Sequence, residues 1–165
     1  MDNSTLKNII DFLEKEENKK HKNRDTLLWK LQLGYPLTEE DLNFKDDLSL
    51  YKSKIKSLPK GLKVGGDLDL YGSKIESLPK GLKVGGYLNL LDSEIRFLPE
   101  GLEVGGELSI IGCEAITSLP KGLEVGKTLY IKNTPLTKYS DNELREMIKP
   151  GFIKGLIMRL WKIAQ

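Results

Sequence analysis

Few residues in this chain are of types that could carry out catalysis. The only histidine, His21, lies in a lysine-rich run, where a solvated side chain is expected. The only cysteine, Cys113, has no histidine near it in the sequence, and a packing role is expected there. No His/Cys spacing matches a zinc site, and the glycine pairs lack the Gly-Lys-Ser/Thr context of a phosphate loop. The sequence therefore predicts a non-enzymatic protein without a catalytic residue, metal or cofactor.

Composition and charge narrow the class of protein further. The net charge of the 165 residues is +2, which demands no polyanionic partner. A single cysteine cannot form an internal disulfide and suits a reducing compartment. The N-terminus is acidic and amphipathic, unlike a signal peptide, and no apolar stretch approaches the ~20 residues of a membrane span. These features predict a soluble cytoplasmic protein that does not engage a membrane.

A 20-residue repeat dominates the chain. The second unit, 67–86, reads DLDLYGSKIESLPKGLKVGG, and the units on either side of it share its pattern. The fourth unit, 107–127, has one extra residue, and a partial fifth unit covers 128–139. Before the first unit, 42–46 is a worn copy of the Leu-x-Val-Gly-Gly tail. Because such units bury their apolar faces only by stacking, the chain is expected to form a solenoid.

Each unit translates into one coil. Its Leu-x-Leu start alternates apolar and polar residues, as a half-buried strand does. The proline that follows blocks continuation of the strand's hydrogen-bond ladder. In the second unit, Gly85-Gly86 then permits the turn into the next strand. Six apolar positions of the second unit are predicted to point inward: Leu68, Leu70, Ile75, Leu78, Leu82 and Val84. Strands of successive coils would lie parallel, ~4.8 Å apart, in one narrow sheet.

This repeat resembles the leucine-rich repeat family, in its short 20-residue bacterial form with a Leu-Pro signature. The family motif maps onto Leu68, Leu70, Ser73 and Ile75. The chain departs from the motif at the asparagine position, which holds Ser53, Ser73, Ser93, Cys113 and Thr134. The variant L-P-x-G-L-x-V-G-G, with the lead-in over 35–42, is similar to repeat proteins of bacteriophages and other mobile elements. The resemblance covers residues 35–139 and implies an α/β repeat solenoid that serves as a binding scaffold.

Helical caps are predicted at both ends of the solenoid. The N-terminal cap, 1–41, contains an apolar stripe from Leu6 to Leu13 and a second helix over Thr26–Leu33. The solenoid then occupies 42–139. The C-terminal cap, 140–165, opens with a capping box at Ser140 and is followed by an apolar helix over 152–164. That last helix is interpreted as a cover for the sheet edge; a basic amphipathic helix for a membrane surface, a partner's groove or homo-oligomerisation is the alternative.

The outward strand positions predict a partner-binding surface on the concave face. Recognition by solenoids commonly uses that face. One row of equivalent outward positions on it combines tyrosines with aliphatic side chains, as interfaces often do; this row contains Tyr51, Tyr71, Leu91, Ile111 and Lys132. The alternative is a terminal helix folded back over this row. The predicted partner-binding residues are Tyr51, Asp67, Asp69, Tyr71, Tyr87, Asn89, Leu91, Ile111 and Tyr130.

Basic residues cluster at the N-terminal end and predict a second, alternative binding surface. They could attract phosphates or an acidic protein, although a solvated lysine surface explains them equally well. The candidate nucleic-acid-binding residues are Lys19, Lys20, Lys22, Arg24, Lys52, Lys54 and Lys56.

The function expected from these patterns is the binding of one macromolecular partner, a host protein or a ribonucleoprotein. The resemblance to phage repeat proteins implies a host protein, and steric inhibition of a defence system such as a CRISPR nuclease is one such role. The alternative is RNA or ribonucleoprotein binding through the basic N-terminal face.

Overall fold

The structure, a computed structural model, describes residues 22–159 and shows a parallel β-solenoid of about four turns. Its strands form two six-stranded parallel sheets. The first sheet contains β1 (Asn43–Phe44), β3 (Lys63–Val64), β5 (Lys83–Val84), β7 (Glu103–Val104), β9 (Glu124–Val125) and β11 (Phe152–Ile153). The second contains β2 (Leu48–Ser49), β4 (Leu68–Asp69), β6 (Leu88–Asn89), β8 (Leu108–Ser109), β10 (Leu129–Tyr130) and β12 (Ile157–Met158).

The prediction of a single narrow sheet is therefore wrong in one respect. The Leu-x-Val segment of each unit also pairs with its equivalents, and Val64 stands beside Val84 in the register of the first sheet. The Leu-x-Leu segment behaves as predicted, with Leu68 beside Leu88 in the second sheet. A two-residue strand is too short for alternation to identify it from sequence, so only the stacking of coils reveals the additional sheet.

The core is a column of aliphatic side chains between the two sheets. All six positions predicted to point inward are buried in the second unit, and Leu68, Leu70 and Ile75 are 0% exposed. Leu88, Leu90 and their equivalents repeat the same burial one coil further. The 20-residue period therefore translates directly into layers of the core, because equivalent side chains of successive coils stack on one another.

The glycine that follows the valine of each repeat tail permits the coils to approach closely; we call Gly65, Gly85, Gly105 and Gly126 the glycine row. A side chain at Gly85 would overlap the carbonyl oxygen of Gly65, and Gly105 and Gly126 stand in the same relation to the coil before them. The N–H of Gly85 in turn donates to the carbonyl oxygen of Val64, at 2.8 Å. Between these coils the glycine row permits the observed close spacing, since a Cβ at Gly85, Gly105 or Gly126 would overlap the preceding coil.

At the N-terminal end, helix α1 (Lys22–Leu33) covers the stretch predicted as a second helix and begins four residues earlier. Gly34 follows it with a φ of 71°, a left-handed conformation typical of helix ends. The buried Leu27 packs into the core cluster. The stretch 42–46 proves to be a partial coil, because β1 pairs with β3. The predicted stripe from Leu6 to Leu13 lies outside the described residues.

An ion pair connects α1 to the loop before the first coil. Lys30 Nζ lies 2.6 Å from Asp41 Oδ2, and both side chains are largely buried. The same carboxylate accepts the backbone N–H and the hydroxyl of Thr38, at 2.7 and 2.9 Å. Burial favours the neutral acid at Asp41, but the hydrogen bonds from Lys30 and Thr38 outweigh it and lower the pKa.

At the C-terminal end, helix α2 (Asp141–Met147) forms with its predicted capping box. The hydroxyl of Ser140 accepts the N–H of Glu143, and the Glu143 carboxylate accepts the N–H of Ser140 at 2.7 Å. Leu144 is buried against the core. None of the helices within residues 22–159 is long and apolar enough to cross a membrane.

The helix predicted over 152–164 is wrong for its described part. β11 and β12 lie there instead, so the solenoid pairing continues past residue 139 to Met158. Side chains at Gly151 and Gly155 would overlap the carbonyl oxygens of Leu123 and Lys127. The segment is therefore a degenerate Leu-x-Val-Gly-Gly tail, whose apolar residues also suit a helix pattern. Residues 160–164 of that prediction lie outside the described part.

Candidate functional site

The rings of Tyr51 and Tyr71 stack on the outward side of the second sheet. Each tyrosine follows a strand, Tyr51 after β2 and Tyr71 after β4, so equal positions of adjacent coils bring them together. Their centroids are 5.2 Å apart and their planes differ by 17°. Tyr51 is 47% exposed. This is the stacked geometry that aromatic pairs favour, on a surface open to a partner.

Lys52 joins this pair. Its ammonium lies 5.0 Å from the centroid of the Tyr51 ring, a cation–π distance. A hydrogen bond with Tyr51 raises the pKa of Lys52. The structure thus brings together residues from two predicted sets. Tyr51 belongs to the predicted partner-binding residues of the concave face, and Lys52 belongs to the candidate nucleic-acid-binding residues. We call Tyr51, Lys52 and Tyr71 the tyrosine corner.

Lys52 takes a backbone conformation that lysine rarely adopts. Its φ is 50°, and the same position of the next coil is Gly72, whose φ is 60°. A Cβ at Gly72 would come within 3.3 Å of Lys52 Cγ, so the lysine stem lies over that glycine. The side chain of one coil therefore occupies the space that the glycine of the next leaves open.

The row that begins with the tyrosine corner becomes less accessible along the solenoid. Tyr71 and Leu91 are half-buried, and Ile111 is only 9% exposed. The prediction of an exposed Ile111 is wrong. Inner coils have neighbours on both sides, whereas Tyr51 belongs to the first full coil, so the N-terminal end of the row presents the most surface.

Three other predicted partner-binding residues have structural contacts. Asp67 Oδ1 accepts the N–H of Tyr87, at 2.7 Å. Asp69 Oδ1 accepts the N–H of Tyr71 at 3.1 Å and the side-chain amide of Asn89 at 2.9 Å. These bonds hold turns and adjacent coils together, as short polar side chains commonly do. Asp67, Asp69 and Asn89 therefore shape the face on which the tyrosines stand.

Tyr87 and Tyr130 lie on the more enclosed part of the face. Burial raises the pKa of Tyr87, and burial together with Glu107 raises that of Tyr130. The Tyr130 hydroxyl donates to Glu107 Oε1 at 3.4 Å. Ser109, at an outward position of β8, is 1% exposed. Both rings therefore help to close this part of the second sheet, which limits their availability to a partner.

The structure places the candidate nucleic-acid-binding residues in different surroundings. Lys56 Nζ lies 2.9 Å from Glu76 Oε1, whereas Lys54 is exposed and forms no ion pair within residues 22–159. Lys22 and Arg24 belong to α1, and Lys19 and Lys20 lie outside the described residues. Of this set, only Lys52 is placed with the tyrosine corner.

Ion pairs between coils were not anticipated from the sequence. Lysines of the second unit pair with glutamates at the same positions of the third, one period away. These pairs are Lys74–Glu94, Lys80–Glu100 at 3.9 Å and Lys83–Glu103 at 2.7 Å. The signal was present as opposite charges with 20-residue spacing. These pairs neutralise the lysines of the second unit, whereas Lys54, Lys60 and Lys63 of the first unit form no ion pair within residues 22–159.

A shallow groove on the first sheet is a second surface that sequence reasoning missed. Gly85, Gly105 and Gly126 form its floor, and Phe152 stands at its C-terminal end. Lys154 Nζ lies 5.4 Å from the Phe152 ring centroid. The glycines of this groove are already explained by the stacking of coils.

Cys113 is buried, as predicted, in the row of small polar residues. Its thiol donates to the carbonyl oxygen of Leu90 at 3.0 Å. Burial raises the pKa of the thiol to about 11, which opposes formation of a nucleophilic thiolate. Across residues 22–159, no cluster of three or more His, Cys, Asp or Glu could hold a metal ion.

Comparisons of the chain with protein-family models, curated proteins and solved structures find no match.

Proposed function

We propose that this protein is a non-enzymatic binding module, a variant of the leucine-rich repeat solenoid, that docks a partner protein on the outward face of its second sheet. The observation that carries the proposal is the stacked pair Tyr51–Tyr71, with Tyr51 about half exposed. Large aromatic side chains on a rigid surface are favoured anchors of protein interfaces. Because each tyrosine is set by a sheet position, the pair is preorganised and loses little freedom on binding.

The remaining features of the face support the same function. The half-buried Leu91 continues the apolar row, and Asp69 and Asn89 brace the turns beneath it through side-chain hydrogen bonds. A braced, partly apolar surface with a polar surround is the usual anatomy of a protein interface. Such a module would act by occupying a surface of its partner.

The identity of the partner is proposed from the sequence resemblance alone. Similarity to repeat proteins of bacteriophages supports a host protein as the target. A small binding module inhibits such a target by steric blockade, and a CRISPR nuclease or another defence nuclease of the bacterial cytoplasm is the target proposed here.

Affinity capture from bacterial lysate tests the proposal. The wild-type chain, the double variant Tyr51→Ala/Tyr71→Ala and the control Phe97→Ala are compared, each with and without nuclease treatment. Phe97 is 58% exposed, so its removal controls for the loss of an exposed aromatic elsewhere. We expect a nuclease-resistant protein that wild type and Phe97→Ala retain and the double variant loses. Equal capture by all three proteins would overturn the proposal.

RNA or ribonucleoprotein binding is the second candidate. The observation that favours it is a group of exposed lysines in the first unit, Lys54, Lys60 and Lys63, that form no ion pair within residues 22–159. It predicts that captured material disappears after nuclease treatment and that affinity falls steeply with salt. Substitution of Lys54, Lys60 and Lys63 by glutamine would then abolish capture, whereas Tyr51→Ala/Tyr71→Ala would retain most of it.

A further inference from the structure

We infer that the tyrosine corner receives an acidic segment of the partner, with carboxylates near Lys52 and an apolar side chain against Tyr51. This inference rests on the proposed protein-binding function and names the chemistry of its partner. It is carried by three observations on the first two coils: the distribution of unpaired charge, the backbone conformation of Lys52 and the open surface of Tyr51.

Unpaired positive charge coincides with the accessible end of the apolar row. Within residues 22–159, no carboxylate forms an ion pair with Lys52 or Lys54. One coil further, the residue equivalent to Lys54 is Lys74, and Glu94 neutralises it. A partner that reaches the exposed ring of Tyr51 therefore meets uncompensated ammonium groups, and electrostatic complementarity favours carboxylates there.

The left-handed backbone conformation of Lys52 supports a functional role for its side chain. The left-handed position that it occupies is filled in later coils by Gly72, Asp92, Gly112 and Asn133. Glycine, aspartate and asparagine tolerate this conformation, whereas lysine rarely adopts it. An unfavourable conformation at an exposed position often serves a functional contact, and here it accompanies the placement of an ammonium near the Tyr51 ring.

The extent of the positive surface favours a short acidic peptide segment over a nucleic acid. A nucleic acid gains affinity from many phosphates in succession, and its path along the solenoid would meet Glu94, Glu100 and Glu103 of the third unit. Tyr71 also stacks on Tyr51, which leaves less ring surface for successive bases. A short peptide segment with a few carboxylates and one apolar side chain could bind at the tyrosine corner alone.

Fluorescence anisotropy with the full chain tests the inference. The probes are a labelled heptapeptide of six glutamates around a central leucine, the same peptide with six lysines, and labelled heptauridylate. Lys52→Gly is the main variant, because glycine already occupies this position in other coils and the fold is expected to persist. Tyr51→Ala is the second variant. Lys121→Gln is the control, since it removes an exposed lysine from the fourth unit.

We expect the glutamate peptide alone to bind, with about tenfold weaker affinity in Lys52→Gly and Tyr51→Ala and unchanged affinity in Lys121→Gln. Equal binding to Lys52→Gly and wild type would overturn the inference, as would preferential binding of heptauridylate or no binding of the glutamate peptide. If the glutamate peptide does not bind while lysate capture still depends on Tyr51 and Tyr71, only the inference of an acidic partner segment is wrong. If both fail, the proposed function is wrong as well.

Discussion

Arg145 donates a hydrogen bond from Nη2 to the carbonyl oxygen of Gly155, at 2.9 Å. Its Nη1 donates to the carbonyl oxygen of Ile153. In the preceding coil, the equivalent carbonyl oxygens of Val125 and Lys127 accept the backbone N–H groups of the next coil. The guanidinium therefore takes the place of a further coil and closes the edge of the first sheet. Open sheet edges invite pairing with other chains, and covering them prevents it.

Substitution of Arg145 by alanine is expected to lower the free energy of unfolding by about 1–3 kcal/mol, because part-buried acceptors lose a charged donor. The uncovered edge is also expected to promote self-association. Chemical denaturation measures the first effect, and sedimentation velocity across protein concentrations measures the second. Glu146→Ala, on the same helix, is the matched control. A monomeric Arg145→Ala of wild-type stability would show that the edge is closed by other means.

The glycine row predicts a steep difference between two glycine substitutions in one unit. A side chain at Gly85 would overlap the Gly65 carbonyl oxygen, whereas Gly81 has open space around it and a φ of 75°. Gly81→Ala is expected to cost about 1 kcal/mol from backbone conformation, and Gly85→Ala about 3 kcal/mol because adjacent coils must separate. Urea denaturation of both variants measures the difference. Similar losses in the two variants would contradict the close-approach argument.

The ion pair between Lys30 and Asp41 predicts a pH-dependent contribution to stability. Because the pKa of Asp41 is lowered in the folded state, its contribution is complete above the ordinary aspartate pKa of 3.8 and disappears as pH falls through the folded-state pKa. Asp41→Asn is expected to lower the free energy of unfolding by about 1–2 kcal/mol at pH 7, since charge-assisted hydrogen bonds are lost.

Denaturant titrations of wild type and Asp41→Asn at pH 7 and pH 3 measure this contribution. The difference between the two proteins should shrink at the lower pH. Asp46→Asn, a variant of an exposed neighbouring carboxylate, serves as the control and should remain close to wild type. A difference between wild type and Asp41→Asn that is independent of pH would refute the electrostatic origin of the effect.

Burial of the Cys113 thiol predicts slow modification. With a pKa of about 11, its thiolate is scarce at pH 8, and its reaction with a disulfide reagent should be about a hundredfold slower than that of a free cysteine. The rate is expected to rise as pH approaches 11 and to become fast in denaturant. Absorbance of the released chromophore follows the reaction. Rapid modification of the native protein at pH 8 would show that the site opens readily.

The repeat made much of this fold predictable. Leu68, Leu70 and Ile75 were assigned to the core from one period of sequence, because a solenoid repeats each environment at each repeat. The capping box at Ser140 was also recognisable, since it depends on contacts within four residues. The degenerate coil at 152–158 was not, because its apolar residues suit a helix as well as a strand and only pairing with β9 and β10 distinguishes the two.

The candidate site, like the fold, was predictable from the sequence only in part. By itself, the sequence determined that Tyr51 and Tyr71 occupy equal positions of adjacent coils, since a 20-residue period leaves no other arrangement for them. Only the tertiary structure decided that Lys52 joins them, that Ile111 is buried and that Asp67 and Asp69 bond to backbone. The repeat period places a residue in a row of equivalent positions. The exposure of that residue and its hydrogen-bond partners depend on how the coils on either side pack against it.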